Sequence, residues 1–124
     1  MLASPNNFSI IDEMRRRDYL GSFELMVLLA MMRLGDEAYG VPIAREIEES
    51  SGSAVLVASV YAALQRLELK GLVVSRLGEP TAERGGKAKK FFAITSTGIA
   101  EVRRTQASLS KLWGGLRQLR GRRA

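Results

Sequence analysis

The stretch SVYAALQRLELKGL, residues 59–72, has the periodicity of an amphipathic helix and almost no reactive side chains. Apolar side chains recur in it every three or four positions, at Val60, Ala63, Leu64 and Leu67. This spacing predicts a helix over residues 58–70, and Gly71 is predicted to end it. The helical step turns Ala62 and Gln65 away from the core, with Arg66 on one flank. Such a face can touch a partner, but it carries little that can catalyse a reaction.

The composition of the chain excludes most kinds of catalytic and metal site. The 124 residues are enough for one domain, and they include no histidine and no cysteine. The chain therefore lacks the imidazole base, the thiolate nucleophile and the usual zinc ligands, so we expect no cofactor. A hydrolase is a third interpretation, which the same absences disfavour. The lack of cysteine is compatible with a reducing, cytoplasmic location.

Charge is distributed unevenly along the chain. Residues 1–69 hold six basic and ten acidic side chains, whereas residues 70–124 hold thirteen basic and three acidic ones. A basic half of net charge +10 points to a polyanion such as nucleic acid, although a charge run alone often serves only solubility. A membrane partner is not expected, because the apolar residues 23–34 are far fewer than the roughly 20 needed to span a bilayer.

Two further helices are predicted before this stretch. Ser22 is predicted to cap the first, which Gly35 ends and which is apolar on most sides. Pro42 is predicted to open the second, which Gly52 ends. Residues 1–19 form an N-terminal extension, with a short helix predicted over residues 9–18.

A β-hairpin and a long helix are predicted after the stretch. Residues 55–57 are β-prone, while residues 72–77 and 90–95 are predicted to be the two strands of the hairpin. Ser96 or Thr97 is predicted to cap the last helix, which runs to about Leu119. The pair Gly114-Gly115 weakens this helix and allows a kink.

This order of elements predicts a mainly α fold with a β-hairpin, namely a winged helix-turn-helix with a long C-terminal helix. Its second paired helix enters the major groove, and we expect Ser59, Tyr61, Ala62, Gln65 and Arg66 to face DNA. Glutamine can pair with an adenine edge, and arginine with guanine or a phosphate. Taken alone, this helix would favour the interpretation of an ordinary amphipathic core helix with a solvated back.

The predicted hairpin tip favours the nucleic-acid interpretation. It carries four cations beside Gly85-Gly86, namely Arg84, Lys87, Lys89 and Lys90. Glycines let the backbone approach a phosphate closely, and cations gain free energy by releasing condensed counterions. We therefore expect these side chains to bind the backbone of double-stranded DNA.

The sequence resembles the PadR family of bacterial transcriptional regulators over about residues 20–109. The resemblance rests on LGSFELMVLLAM, YGVPIAREIE, VYAALQRLELKGLV, GEPTAERGGKAKKFFAIT and the following TG, in this order and spacing. It implies a winged-helix repressor without catalytic activity, and it matches the family's recognition-helix tyrosine to Tyr61, its small polar residue to Ser59 and its basic wing to the four cations above.

Dimerisation follows from both the residues and the resemblance. The apolar first helix and the wide stripe of the last one exceed what one chain of 124 residues can cover, so we expect a homodimer. The resemblance implies that these two helices form the interface, for which we predict Phe23, Val27, Met31, Val102, Leu109, Trp113 and Leu116. It also allows release of DNA by a small aromatic effector near Trp113, although a role for Trp113 in the dimer core is favoured.

These predictions divide the chain into an extension (residues 1–19), a DNA-binding domain (20–95), a dimerisation helix (96–120) and a tail (121–124). The alternative function is a winged-helix module for protein interaction, whose basic wing serves solubility. Three positions depart from the family pattern. Leu56 stands where relatives often place serine or threonine, Phe91-Phe92 replaces a tyrosine pairing, and Gly114-Gly115 interrupts the last helix.

Overall fold

The computed structural model describes residues 20–80 and 88–120. This part of the chain contains four α-helices, which are α1 (Ser22–Leu34), α2 (Gly40–Ser51), α3 (Val57–Leu69) and α4 (Ser96–Trp113). Two strands, β1 (Val73–Pro80) and β2 (Ala88–Ile94), form an antiparallel hairpin that we call the wing. The predicted fold class, a mainly helical winged helix-turn-helix, is confirmed. The predicted helix over residues 9–18 and the tail over 121–124 lie outside the described residues.

One apolar core joins the first three helices to the base of the wing. Leu28 of α1, Ile43 of α2 and Leu64 of α3 are fully buried in it. The predicted inward stripe of α3 is confirmed, because Val60, Ala63, Leu64 and Leu67 all have an exposed fraction of 0%. Full burial of each valine or leucine in this stripe contributes about 1.5–3 kcal/mol to the free energy of unfolding. The stripe therefore fixes which face of α3 points outward.

Helices α1 and α2 begin one or more residues before the positions predicted. Gly21 is the N-cap of α1, and its N–H donates to the Glu24 carboxylate at 3.3 Å, so Ser22 is the first helical residue and not the cap. Helix α2 begins at Gly40, which places Pro42 in its first turn. The predicted ends are confirmed, since Gly35 and Gly52 are the C-caps with φ of 66° and 76°.

The wing is longer than predicted and is attached to the helical layer by a backbone hydrogen bond. Its register pairs Val73 with Ile94 and Ser75 with Phe92, which places these residues on one face. The N–H of Phe92 donates to the carbonyl of Ala38 at 2.8 Å, beside the start of α2. The β-prone residues 55–57 form no strand in the described structure, since Val57 already begins α3.

Helix α4 is capped by Thr95 and not by Ser96 or Thr97. Thr95 Oγ1 accepts the N–H of Gly98 at 3.0 Å and donates to the carbonyl of Gly71 at 2.8 Å, so one hydroxyl ties the helix to the end of α3. Glycine is required at position 98, because an added Cβ would overlap the carbonyl of Leu72. This close approach explains the glycine of the TG pair in the sequence.

The predicted continuation of α4 to Leu119 is wrong. The helix ends at Trp113, Gly114 is extended at φ −65° and ψ 138°, and Gly115 has a φ of 78°. A short 3₁₀ turn, Arg117–Leu119, follows. Two adjacent glycines cost about 1 kcal/mol each in a helix relative to alanine, and no tertiary packing on this exposed segment offsets that cost.

Candidate nucleic-acid interface

The outward face of α3 is made of small and amide side chains. Ala58, Ser59, Ala62 and Gln65 are all exposed along it. The two ends of the helix are apolar and strongly exposed, with Leu56 at 73% and Leu69 at 89%. A backbone with so few bulky side chains can approach a partner closely, and Gln65 is the longest polar group on this face.

One side of α3, which we call the aromatic flank, is held by Tyr61. Its ring packs against Phe92 of the wing, with the centroids 6.3 Å apart and the planes tilted by 59°. Its hydroxyl oxygen accepts the N–H of Gly40, the first residue of α2, at 3.3 Å. The side chain thereby satisfies a helix-start donor that has no partner within its own helix. Tyr61 is still 39% exposed, so its predicted contact with DNA stays a prediction.

The other side of α3, the polar flank, is held by Glu24 of α1. Its carboxylate accepts hydrogen bonds from Arg66 Nε at 2.9 Å and from Lys70 Nζ at 3.1 Å. Glu24 is 6% exposed, and it is the one charged residue classed as buried among residues 20–80 and 88–120. Burial on its own would raise the pKa of this carboxyl, but the hydrogen bonds from Arg66, Lys70 and the N–H of Gly21 outweigh it and leave the pKa below 4.5.

Arg66 therefore occupies a different environment from the one the sequence suggests. It was predicted as a DNA contact, and the structure places its Nε against Glu24 while its side chain remains 53% exposed. Its predicted role stays open, because only one edge of the guanidinium is used in this bond.

The wing places its two described lysines on opposite faces. The register puts Lys90 on the face of Phe92, next to α3, and its Nζ lies 5.6 Å from the Phe92 ring centroid. Lys89 lies on the other face, where its Nζ is 4.3 Å from the ring centroid of Tyr39. The cations Arg84 and Lys87, predicted for the same tip, lie outside the described residues.

A groove of about 530 Å³ separates α1 from α4. We call it the α1–α4 groove; its lining includes Leu25, Leu29, Met32, Val102, Arg103, Gln106, Leu109 and Trp113. Several of these side chains are large and exposed, among them Leu29 at 44%, Met32 at 45% and Trp113 at 58%. Exposed apolar surface of this kind is typical of binding sites on small proteins.

The predicted interface residues divide into two groups in the structure. Leu109, Trp113 and Leu116 are exposed and remain available to a partner. Val27, Met31 and Val102 are buried in the chain's own core and Phe23 is partly buried against it, so these four residues present less open surface than the other three, and their predicted contacts with a partner stay predictions. A helix that is apolar all round does not reveal which face its own core covers, and the exposed large apolar residues of α1 are Met26, Leu29 and Met32.

The role of Glu24 is not among the predictions made from the sequence. The signal was present, because Glu24 is spaced three and four positions before Val27 and Leu28 and seven before Met31. A carboxylate on a core stripe must be paired to be tolerated. Its partners lie 42 and 46 residues further along the chain, beyond the range of any local pattern.

Together, the three-helix core, the exposed face of α3 and the antiparallel wing define a winged helix-turn-helix protein. The sequence profile of the transcriptional regulator PadR-like family matches residues 28–104, and the chain belongs to this family. Members of this family are transcriptional regulators and not enzymes. No curated protein sequence matches the chain significantly.

Solved structures share the fold. A PadR family regulator from Clostridium difficile is 22% identical, with a TM-score of 0.65, over 82% of this chain and all of the other. A PadR-like regulator from Bacillus cereus is 20% identical, with a TM-score of 0.63, over 81% and 93%. The solved complex of hsRosR-S4 is 30% identical, with a TM-score of 0.58, over 81% and 79%.

Within residues 20–80 and 88–120, no helix combines the length and the apolar character that crossing a membrane requires.

Proposed function

We propose that the protein is a sequence-specific DNA-binding repressor that acts as a homodimer. The observation that carries this proposal is the exposed face of α3, which offers Ser59, Ala62 and Gln65 beside a wing whose near face bears Lys90. An α-helix fits the major groove of B-DNA, and small residues allow close approach while the amide of Gln65 pairs with an adenine edge. Family membership supports the same function.

Charge supports DNA over an uncharged partner. Residues 70–124 carry thirteen basic and three acidic side chains, among them Lys90 on the near face of the wing and the predicted tip residues Arg84 and Lys87. Neutralising phosphates with these cations releases counterions, so binding to any duplex weakens as salt rises. The wing supplies affinity in this scheme, whereas Gln65 supplies sequence preference.

The dimer is proposed from the apolar surface around the α1–α4 groove. Leu29, Met32 and Trp113 line the groove and are all more than a third exposed. A second copy bound by a two-fold axis would cover the same surface on both chains. It would also present two α3 helices to successive turns of the major groove, which is how dimeric helix-turn-helix proteins bind paired half-sites.

The same groove is proposed to bind a small aromatic effector that releases DNA. Its volume of about 530 Å³ falls in the range of small-molecule sites, and Arg103 and Gln106 add polar groups to an apolar lining. Trp113 is the single tryptophan of the chain, so its fluorescence reports binding directly. Quenching by an aromatic carboxylate that also weakens DNA binding is the expected result, and quenching without an effect on DNA would contradict the effector role.

DNA binding is tested with a duplex selected from a random pool and with a scrambled duplex, each titrated at two salt concentrations. Gln65→Ala should cost about 1–3 kcal/mol on the selected duplex and leave the scrambled one nearly unchanged. Gln118→Ala is the matched control, since Gln118 is exposed in the 3₁₀ turn beyond α4. Failure of the unmodified protein to bind any duplex would favour a protein-interaction module.

Dimerisation is tested by sedimentation of the unmodified chain and of two leucine variants. Leu29→Glu, in the α1–α4 groove, should yield monomers because it places a charge in the proposed interface. Leu69→Glu should sediment like the unmodified chain, since Leu69 is 89% exposed on α3 and lies outside that groove. A well-folded, monodisperse monomer of the unmodified chain would overturn the proposed dimer.

A further inference from the structure

The polar flank holds a charged group in a place where charge is costly. The Glu24 side chain is 7% exposed, and an isolated carboxylate buried to this extent would be strongly unfavourable. Its partners are both on α3, with Arg66 at 2.9 Å and Lys70 at 3.1 Å. The contact therefore connects α1 to the helix that presents Gln65, and it does so through a directional bond as well as through apolar packing.

The bond leaves part of the arginine available. A guanidinium has five N–H donors in a planar fork, and the bond to Glu24 uses the one on Nε. The Arg66 side chain is 53% exposed, in contrast to the buried carboxylate that holds it. A guanidinium fixed at one edge is pre-organised, so less side-chain freedom is lost when its outer N–H groups bind an acceptor.

The position of Arg66 on α3 selects the kind of acceptor. Arg66 lies in the last turn of a helix that spans Val57–Leu69, next to Gln65. The helical step also places it on the flank and not at the centre of the outward face. Flanking cations on such helices commonly bind the DNA backbone.

We propose that Glu24 is a positioning residue which orients Arg66 toward a DNA phosphate while making no contact with DNA itself. This inference rests on the proposed DNA binding and deepens it. It also predicts a change in DNA affinity whose sign is opposite to the one that simple electrostatics predicts. Replacing Glu24 by a neutral residue removes a negative charge near the DNA, which alone would strengthen binding, whereas loss of the oriented arginine weakens it.

The test is a double-mutant cycle with Glu24→Gln, Arg66→Ala and the double variant, measured on the selected and scrambled duplexes over a salt series. Arg66→Ala should weaken binding to both duplexes about tenfold and lower the salt slope by about one. Glu24→Gln should weaken both by roughly threefold to tenfold, because the arginine must then be ordered on binding. The double variant should bind no more weakly than Arg66→Ala alone, since Glu24 acts through Arg66.

Glu49→Gln is the matched charge control, because Glu49 is exposed on α2 and its loss should leave affinity equal or slightly higher. Equal or stronger binding by Glu24→Gln, or additive effects in the double variant, would overturn the inference. Thermal unfolding of each variant separates lost binding from lost fold.

A second substitution keeps the inference testable if Glu24→Gln does not fold. Arg66→Lys keeps the charge but lacks the planar fork, so it cannot hold Glu24 and a phosphate in the same geometry. It should weaken binding several-fold with an unchanged salt slope, and binding equal to that of the unmodified protein would overturn the inference. If the unmodified protein binds no duplex, the proposed DNA binding fails first and this inference fails with it.

Discussion

The two flanks of α3 attach the same helix by opposite means. On the polar flank, a carboxylate of α1 binds two cations whose side chains reach solvent. On the aromatic flank, the Tyr61 ring fills the space between Phe92 and the first residue of α2. The aromatic flank therefore depends on volume, whereas the polar flank depends on charge and direction.

This difference sets how each flank should respond to a change. Closely packed atoms cannot accept an added carbon without moving, so substitutions on the aromatic flank should lower the free energy of unfolding. A half-exposed cation that loses its partner can be rehydrated, so substitutions on the polar flank should lower the free energy of unfolding less. These substitutions should instead change the orientation of the Arg66 side chain.

The largest expected effect tests the volume on the aromatic flank. A Cβ added at Gly40 would overlap the Tyr61 ring, so Gly40→Ala should lower the free energy of unfolding by about 1–3 kcal/mol. Urea denaturation measures the change. Gly21→Ala is the control for an added carbon without overlap, because no heavy atom lies within 4 Å of a Cβ added there, and it should lose only the roughly 0.5–1 kcal/mol by which alanine is a poorer N-cap than glycine. Equal small effects of both substitutions would show that the aromatic flank can accommodate an added methyl group without loss of packing.

The next effect tests the charge on the polar flank through its pH dependence. Glu24→Gln should lower the free energy of unfolding by roughly 1 kcal/mol at pH 7, because hydrogen bonds to a charged acceptor become bonds to a neutral one. The pKa of Glu24 in the folded chain lies below 4.5, so its ionised form favours folding above that pH. As pH falls through the folded pKa, this contribution is lost, and the two proteins should converge in stability below that pKa. A difference that does not shrink as pH falls from 7 into the acid range would argue against a role for the carboxylate charge.

A smaller effect separates the Tyr61 ring from its hydroxyl. Tyr61→Phe keeps the ring against Phe92 but removes the oxygen that accepts the Gly40 N–H. We expect a loss of about 0.5–1 kcal/mol in the free energy of unfolding, since one part-buried donor must find water instead. The domain should stay folded, as shown by an unchanged circular dichroism spectrum. A loss as large as that of Gly40→Ala would mean that the hydroxyl, and not the ring, holds this flank.

The two flanks also differ in how far the sequence could predict them. The apolar spacing of α3 predicts its buried stripe, because burial follows local periodicity. The polar flank could not be predicted from spacing, since the partners of Glu24 are brought to it only by the tertiary fold. The cap of α1 was misplaced by one residue for a local reason, because the Glu24 carboxylate accepts the N–H of Gly21, three residues before it.

Two further features could not be predicted for a similar reason. The apolar pattern of α1 does not show which face turns to the core, so the sequence alone does not separate the buried Val27 and Met31 from the exposed Leu29 and Met32. The end of α4 depended on weighing the apolar stripe against two glycines. The two glycines end the helix, because the segment after Trp113 is exposed and no packing stabilises it in a helical conformation.

The smallest expected effect extends the comparison along the wing, where the aromatic flank continues. Lys90 lies on the face that carries Phe92 and adjoins α3, whereas Lys89 lies on the opposite face over the Tyr39 ring. The sequence alone predicts equal roles for these neighbouring lysines, but the register makes them different. Lys90→Ala should weaken binding to the selected and scrambled duplexes alike and lower the salt slope by about one, since one phosphate contact is lost. Lys89→Ala should change neither the affinity nor the slope appreciably, and it serves as the matched control because it removes the same charge one residue away. Equal losses in the two variants would mean that both faces of the wing lie close to the DNA backbone and that α3 and the wing do not bind it from a single side.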